Sequence, residues 1–594
     1  MSYEAVSDEF HYASVLKTKI HFDIQSTALT LRKLLRSSKK MRSTLTVQLG
    51  LAAFIGTVSA FDAREATISS VHHDLYAGLS SCREVVSAFV ARIEAFNSHT
   101  NAIISLNPQA LLVADEYDAS LASRNGTGTF GPLFCVPVLL KDNYDTFEMP
   151  TTGASLALAN SQPSVDATSV TALKRAGAVI LGKASLHELA LEGLSVSSFG
   201  GQVINPYDHT RTAGGSSGGT GAAIAASFAV WGTGTDTVNS LRSPASANSL
   251  VSIRPTRGLV SRTGIIPISY TQDVGGPIGR CIEDIAVALS VMASVGYDAD
   301  DNTTALVPPE SRGVNYASDL TSGSLSGMKF GLLEGFVNRT ASNETTPVND
   351  AMADTIAKLR GAGATIIPIT DSLYNATALS AELDIQRYEY RELLSAYLQR
   401  PSLGGEHPSS TKELYGGDDY LVIPSQYEYV NTALVSSTSN TTTDDSPSYA
   451  SVLVGIQNLT LALQNTFAAN NLDAIIYPEQ KNLVVPVGAP SQSGRNGILA
   501  ALTSTPVVTV PIGFSPVTKT APEGIPIGME ILGRPWSEGP LLKIGYQVEG
   551  LLRMRRSPRW ALQEAEVRVY DAVPSITPDS GNIPAAYPLG TLGV

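Results

Sequence analysis

Residues 214–244 constrain the fold of this chain more than any other stretch, because two glycine-rich turns there flank a run of small residues. The stretch reads GGSSGGTGAAIAASFAVWGTGTDTVNSLRSP. Its first turn, residues 214–219, leads into residues 222–226, which are small enough to pack closely as a helix. Glycine permits backbone conformations and close approaches that other residues resist. Turns rich in Gly, Ser and Thr also expose main-chain N–H groups that can bind an anion or an oxyanion.

Three interpretations fit the first turn. A phosphate-binding P-loop has the pattern GxxxxGK[ST]; residues 214–219 supply its glycine spacing, but Thr220 stands where the lysine is required. Residues 215–219 also match the GxSxG nucleophile elbow, which needs a strand before it and a histidine after it. Residues 205–209 predict a turn instead of a strand, and His407 is the one later histidine. The third interpretation is a plain glycine-rich turn between a loop and a buried helix.

A lysine at the end of an apolar run adds a chemical group to this picture. Residues 131–140, GPLFCVPVLL, predict a largely buried strand that ends at Lys141. A lysine at a strand end is usually a surface residue, but a long apolar run favours burial. Burial disfavours the ammonium form and lowers the pKa of a lysine, so that it can act as a base at neutral pH.

Lys141, the GGSSGG turn and a second serine in the sequence TDTVNSLR together resemble the amidase signature family, the Ser-Ser-Lys amidohydrolases. The resemblance spans roughly residues 66–553 and includes residues 166–183, 253–259, 273–278 and 524–530. It implies a single large α/β domain, with a mixed twisted β-sheet covered by helices on both faces. It also implies an enzyme without a cofactor.

The family pattern assigns a role to each of three residues. Ser240 matches the nucleophile that forms the acyl-enzyme. Ser216 matches the middle serine, which follows a cis peptide bond in the family and bridges lysine and nucleophile. Lys141 matches the base. The resemblance therefore implies that neutral Lys141 takes a proton through Ser216 while Ser240 attacks an amide carbonyl, and that water then hydrolyses the acyl-enzyme.

The residues just before the nucleophile depart from the family pattern. The main-chain N–H groups of Thr237, Val238 and Asn239 match the oxyanion hole, but Val238-Asn239 replaces the usual Gly-Gly. A β-branched valine is stiff and avoids positive φ. The replacement keeps the main-chain donors and changes the expected shape of the hole.

The resemblance predicts hydrolysis of a linear carboxylic amide to a carboxylate and ammonia or an amine, with a small-molecule amide as the partner. One alternative is a component of an amidotransferase, which delivers ammonia to another substrate. The other is an inactive relative that binds a partner, motivated by Val238-Asn239. Asp236 and Arg242 flank the nucleophile and are interpreted as a structural pair. The histidines at 187, 209 and 407 are interpreted as ordinary polar residues, and a homodimer stays open.

Charge and cysteine content exclude several other classes. The net charge is −13 with no basic patch, so nucleic acid is not expected as a partner. Three cysteines, Cys82, Cys135 and Cys281, are too few for a disulfide framework. The sequence contains neither CxxC nor HExxH, so no metal is expected.

The N-terminal region carries a three-part pattern typical of secretory signals. Basic residues at 39–42 precede an apolar run at 45–54 and the small residues Val58 and Ala60. The apolar run is too short for a comfortable membrane span, so stable membrane insertion is not expected. We therefore expect secretion, with Met41 as a candidate start; an amphipathic helix of a cytoplasmic protein is the alternative. Seven N-x-[ST] sequons are compatible with a secreted glycoprotein.

The expected organisation has three parts: an N-terminal extension at 1–60, with the signal at 41–60, an amidase domain at 61–555 and a surface tail at 556–594. Periodicity predicts helical structure over 65–122, 347–360 and 537–552 and α/β alternation over 130–202. Buried strands are expected at 474–478 and 506–511, and loops at 294–325, 404–417 and 436–448.

Overall fold

The computed structural model describes residues 61–123, 130–439, 447–566 and 568–593, which all belong to one compact unit. The expected signal segment at 41–60 and the sequons at Asn125 and Asn440 lie outside the described residues. No helix in these ranges has both the length and the apolar character needed to cross a bilayer.

An eleven-stranded sheet forms the centre of the described fold, and two pairs of very short strands lie apart from it. The spatial order in the large sheet is β1-β4-β2-β7-β9-β8-β14-β15-β13-β10-β11. The strands in chain order are β1 (Ile103–Leu106), β2 (Pro137–Lys141), β3 (Gln162–Pro163), β4 (Val179–Ala184), β5 (Val196–Ser197), β6 (Gly201–Gln202), β7 (Trp231–Asp236), β8 (Val251–Arg254), β9 (Val274–Gly279), β10 (Lys329–Leu333), β11 (Thr365–Ile369), β12 (Leu403–Gly404), β13 (Ala474–Pro478), β14 (Val507–Phe514) and β15 (Pro526–Leu532).

The sheet is mixed, as the family resemblance implies. Strand β2 is parallel to both β4 and β7, and β10 is parallel to both β11 and β13. The remaining neighbours in the sheet are antiparallel. All residues of β2, β4 and β7 are buried, which agrees with the largely apolar sequences of parallel strands covered on both faces.

Helices flank this sheet. The α-helices of the described chain are α1 (Ile68–Tyr76), α2 (Cys82–Phe96), α3 (Ala110–Ser123), α4 (Thr168–Arg175), α5 (Gly218–Ala225), α6 (Arg242–Ala247), α7 (Ile282–Ala293), α8 (Thr346–Gly361), α9 (Ala376–Leu383), α10 (Gln386–Leu398), α11 (Thr411–Leu414), α12 (Tyr427–Val435), α13 (Tyr449–Asn470), α14 (Ile498–Thr503) and α15 (Glu538–Leu552).

Most of the periodicity is realised as predicted. The strand at 474–478 is β13, and the helices at 347–360 and 537–552 are α8 and α15. The continuous helical prediction over 65–122 was wrong in one place, because β1 (Ile103–Leu106) lies between α2 and α3. β1 is an edge strand whose Ser105 pairs with Lys183 of β4. Such a partner is distant in sequence, so local periodicity cannot reveal it.

One disulfide joins two elements next to the catalytic strands. Cys82, the first residue of α2, is bonded to Cys135 just before β2, with a Cα–Cα distance of 5.7 Å. Cys281 is free. The cysteine count argued against a framework of bridges and gave no sign of this single bridge, because a sequence separation of 53 residues carries no spacing signal.

The segment after Arg555 runs over the domain and is tied to it. Tyr570 and Tyr587 are buried, and Leu589 forms an isolated β-bridge with Leu421. The Trp560 indole donates to the Pro206 carbonyl at 2.9 Å. This part of the chain therefore contributes buried side chains to the described unit.

Candidate active site

Lys141 stands at the C-terminal end of β2 and is completely buried. Its Nζ lies 2.7 Å from Ser216 Oγ and 2.7 Å from Thr235 Oγ1. Burial lowers the pKa of Lys141 to about 7, and the more distant carboxylates of Asp236 and Asp273 only partly oppose this. Within the described ranges, Lys141 forms no ion pair. Near neutral pH a large share of this lysine is therefore an uncharged amine.

The GGSSGG turn precedes α5 and brings Ser216 to the lysine. The peptide bond between Gly215 and Ser216 is cis, as the resemblance implies. Gly214 has φ +67°, and a Cβ there would lie 2.8 Å from the carbonyl oxygen of Ser243, so both the conformation and the contact require glycine. The Gly215 N–H donates to Ser243 Oγ at 3.4 Å. The turn thus packs against the helix that begins just after Ser240.

Ser240 lies in the turn between β7 and α6, and the residue is 7% exposed. Asp236 at the end of β7 anchors this turn, since its Oδ2 accepts from the Leu241 N–H at 3.1 Å and from Arg242 Nε at 3.0 Å. Arg254 pairs with the other carboxylate oxygen at 2.7 Å. Burial opposes ionisation, but the two guanidinium groups lower the pKa of Asp236 to about 2.

Asp236 and Arg242 were interpreted as a structural pair, and the structure places them in a buried network. Arg242 also pairs with Glu530 at 2.8 Å, and all three side chains are inaccessible to solvent. A guanidinium that bridges two carboxylates fixes the start of α6 relative to β7 and β15. The network therefore holds the position of Ser240 from behind.

The two residues that replace Gly-Gly are accommodated on the side of the core. Val238 packs in a hydrophobic cluster with Tyr477 and Ile498. The Asn239 side-chain amide donates to Glu479 Oε1 at 3.2 Å. In the part of the chain that the structure describes, the backbone N–H groups of Val238, Asn239 and Ser240 donate to no protein acceptor. These donors are therefore free to bind an oxyanion.

A cavity of about 770 Å³ opens beside the lysine. Asn143, Thr235 and Thr237 line its inner end, and the apolar residues 265–268 line one wall. Asn143 Nδ2 donates to Thr235 Oγ1 at 3.0 Å, on the same oxygen that Lys141 contacts. The cavity therefore reaches the hydrogen-bond partners of the candidate base.

The charged residues that line this cavity have partners of their own. Arg262 forms a salt bridge with Asp301 at 2.7 Å. Arg400 pairs with Asp145, and its guanidinium lies 4.0 Å from the centre of the Tyr397 ring. These contacts leave a cavity whose buried charges are largely compensated by the protein.

The histidines take no part in this arrangement of side chains. His187 is buried, and only its backbone N–H contacts the site, donating to the Ser216 carbonyl at 3.0 Å. The ring of His209 lies 6.1 Å from that of His99, and the His407 ring contacts the Pro408 carbonyl.

Sequence reasoning missed Thr235 and Glu479. A signal for Thr235 was present, because Thr233 and Thr235 alternate on β7 and therefore face the same side of the sheet. Thr233 Oγ1 accepts from the Lys141 backbone N–H at 3.0 Å. Glu479 gave no signal, since it follows β13 more than two hundred residues after Asn239.

These elements recur together in known proteins. The family model described as Amidase matches residues 84–542. The A-type component of glutamyl-tRNA(Gln) amidotransferase from Alkalilimnicola ehrlichii is 32% identical over 513 residues, covering 82% of this chain and 97% of the relative. The same component from Geobacter sp. is 32% identical over 517 residues, covering 84% and 98%. The chain belongs to the amidase signature family.

Solved structures give the same result. Peptide amidase from Stenotrophomonas maltophilia superposes with a TM-score of 0.69 at 30% identity, over 83% of this chain and 98% of that chain. An amidase family protein from Bacillus anthracis has a TM-score of 0.67 at 27% identity, over 83% and 92%. The protein is therefore an amidase-signature enzyme, a family with hydrolase or amidotransferase activity on carbon–nitrogen bonds.

Proposed function

We propose that the protein hydrolyses a linear carboxylic amide through an acyl-enzyme on Ser240. The observation that carries this proposal is the contact of 2.7 Å between Ser216 Oγ and the buried amine of Lys141, whose pKa is lowered to about 7. Neutral Lys141 takes the Ser216 proton, and Ser216 takes the proton of Ser240 as Ser240 Oγ attacks the amide carbonyl. The protons return to the leaving amine, and water then releases the carboxylate.

Thr235 orients the base in this mechanism. A neutral amine has two N–H donors and one lone pair. One N–H donates to Thr235 Oγ1, so the lone pair is left for the hydroxyl hydrogen of Ser216. The oxyanion that forms on the substrate is stabilised by the free main-chain N–H groups of Val238, Asn239 and Ser240.

The cavity supports a neutral substrate with a bulky apolar acyl group. Its wall of Ile265, Ile266 and Ile268 offers apolar contact, and Arg262 and Arg400 already pair with protein carboxylates. A charged substrate group would lose hydration without gaining a free counter-ion. We expect 3-phenylpropionamide to have a higher kcat/KM than acetamide and than glutamine.

Ser240→Ala tests the proposed nucleophile. The variant should neither release ammonia from 3-phenylpropionamide nor react with a serine-directed fluorophosphonate, while its thermal unfolding stays close to that of the wild type. Ser246→Ala is the matched control, because Ser246 is a buried serine of α6. It should label normally. Full labelling of Ser240→Ala would assign the nucleophile elsewhere.

A second candidate is a component of an amidotransferase, which the names of the relatives favour. Ammonia release from simple amides by the purified chain alone separates the two. Turnover without a partner protein supports the hydrolase. A third candidate, an inactive binding protein, predicts neither turnover nor labelling under any of these conditions.

We further propose that the protein acts in an oxidising compartment, with a signal at 41–60, a mature domain at 61–555 and the C-terminal segment at 556–594. The disulfide between Cys82 and Cys135 supports this, since disulfides persist mainly in secreted proteins. N-terminal sequencing of the protein from its native source should find a start near Phe61. An intact chain starting at Met1, with both thiols free, would contradict the proposal.

A further inference from the structure

The turn that carries Ser240 is held by a residue far away in the sequence. Asn239 Nδ2 donates to Glu479 Oε1 at 3.2 Å, and both residues are buried. Glu479 itself is fixed by its backbone, because its N–H donates to the Gly528 carbonyl at 3.0 Å and its carbonyl accepts from the Asn496 N–H at 3.1 Å. A rigid acceptor between β13 and α14 thus anchors the side chain that precedes the nucleophile.

Gly497 completes the seat of the turn. A Cβ on Gly497 would lie 2.5 Å from Asn239 Cβ and 2.5 Å from the Val238 carbonyl oxygen, so the turn packs directly on its backbone. The Arg242 guanidinium donates to the carbonyls of both Val238 and Gly497. The carbonyls of the turn are therefore directed to the protein, while its N–H groups stay free.

We propose that Glu479 is a positioning residue for the oxyanion hole, acting through the Asn239 side chain. This inference rests on the proposed function. A residue with a side chain at position 239 has more ways to misplace the turn than a tethered one, and Glu479 supplies the tether. Displacement of catalytic donors by about 1 Å costs on the order of 10²-fold in rate.

The charge around Glu479 explains how its carboxyl group can serve this role. Asp236 and Glu530 are matched by Arg242 and Arg254, so ionised Glu479 would add an unmatched negative charge to this buried region. Burial, followed by the nearby Glu530, raises the pKa of Glu479 to about 8. The carboxyl group is therefore mostly neutral at pH 7, where it accepts from Asn239 without opposing the developing oxyanion.

A double-mutant cycle tests the tether. We expect Glu479→Ala to lower kcat about 10- to 100-fold with little change in KM, because the oxyanion contact strengthens in the transition state. In an Asn239→Gly background, where nothing is tethered, the same change should lower kcat less than about twofold. Equal losses in both backgrounds would overturn the proposal.

The conservative variant Glu479→Gln gives a second readout, which also covers a failure of Glu479→Ala to fold. Gln keeps an acceptor for Asn239 and cannot ionise. Wild-type kcat should fall as pH rises through about 8, when Glu479 becomes charged, and Glu479→Gln should show no such fall. The control is Glu538→Gln, since Glu538 is buried and accepts from the Thr256 N–H instead of contacting the turn. Its profile should match the wild type, and an alkaline fall that persists in Glu479→Gln would refute the role of this carboxyl.

Failure of this inference differs from failure of the proposed function. If the function is wrong, the wild-type protein releases no ammonia and Ser240 does not label. If only the tether is wrong, the wild type is active and labels at Ser240, but the losses in the cycle add.

Discussion

Two lysines are buried side by side on parallel strands, yet their surroundings are opposite in kind. Lys141 ends β2, and Lys183 lies on β4, where it is in register with Leu140. Neither side chain is accessible to solvent. Lys183 Nζ contacts the Asp142 carboxylate at 3.3 Å, the Tyr144 carbonyl at 2.8 Å and two further oxygens. Lys141 Nζ contacts two hydroxyl oxygens.

The comparison shows that burial alone does not make a lysine a base. Burial lowers the pKa of both residues, but the Asp142 carboxylate opposes this for Lys183. Carbonyl and carboxylate oxygens can only accept, so they stabilise the ammonium form. A serine hydroxyl can also donate, so Ser216 can give its proton to a neutral Lys141. Lys183 is thus a structural cation, while Lys141 is suited to proton transfer.

The largest expected effect is that of Lys141→Ala on the rate. A general base contributes about 10²–10⁴-fold, so kcat should fall by that factor. Steady-state ammonia release at pH 7 measures it, together with a thermal unfolding curve that should stay near the wild type. A near-normal kcat at neutral pH would show that another group is the base.

Lys183→Met should act on stability instead. It leaves the buried Asp142 without its cation, and breaking a buried pair costs about 3–5 kcal/mol. The midpoint of urea unfolding should fall accordingly. The double variant Asp142→Asn/Lys183→Met, which removes both charges, should recover part of the loss. A midpoint equal to that of the wild type in the single variant would break the comparison.

The pH dependence of kcat distinguishes a base from a cation. Protonated Lys141 cannot accept a proton, so kcat should be low below pH 7 and rise as pH passes through about 7. A stopped assay from pH 5 to pH 8 measures this limb. Activity that is flat across this range would show that the titration of Lys141 does not limit turnover.

Thr235→Val should give the smallest and most specific effect. It removes one acceptor of Nζ, which costs the ammonium form more than the amine, so the pKa of Lys141 should fall further. The acid limb should move to lower pH, and the plateau of kcat should drop by about tenfold or less. Thr220→Val is the control, because Thr220 Oγ1 bonds the Thr233 carbonyl and does not contact Lys141. A limb that stays in place in Thr235→Val would remove Thr235 from the mechanism.

The sequence could not rank these two lysines by pattern alone. Residues 178–183, AVILGK, form an apolar run that ends in a lysine just as residues 136–141, VPVLLK, do. Only the spacing to GGSSGG and TDTVNSLR singled out Lys141. β1 shows the same limit from the other side, since its strand pairing with β4 was hidden within a helical periodicity.

By itself, the sequence determined the family, the mixed α/β fold and the positions at which Lys141, Ser216 and Ser240 stand. These follow from local patterns: apolar runs, glycine turns and short motifs. The tertiary structure alone decided which atoms surround each lysine, how Cys82 meets Cys135 and what holds Asn239. Hydrogen bonds and desolvation depend on distances between residues that are far apart in the chain, and those distances exist only once the strands have paired.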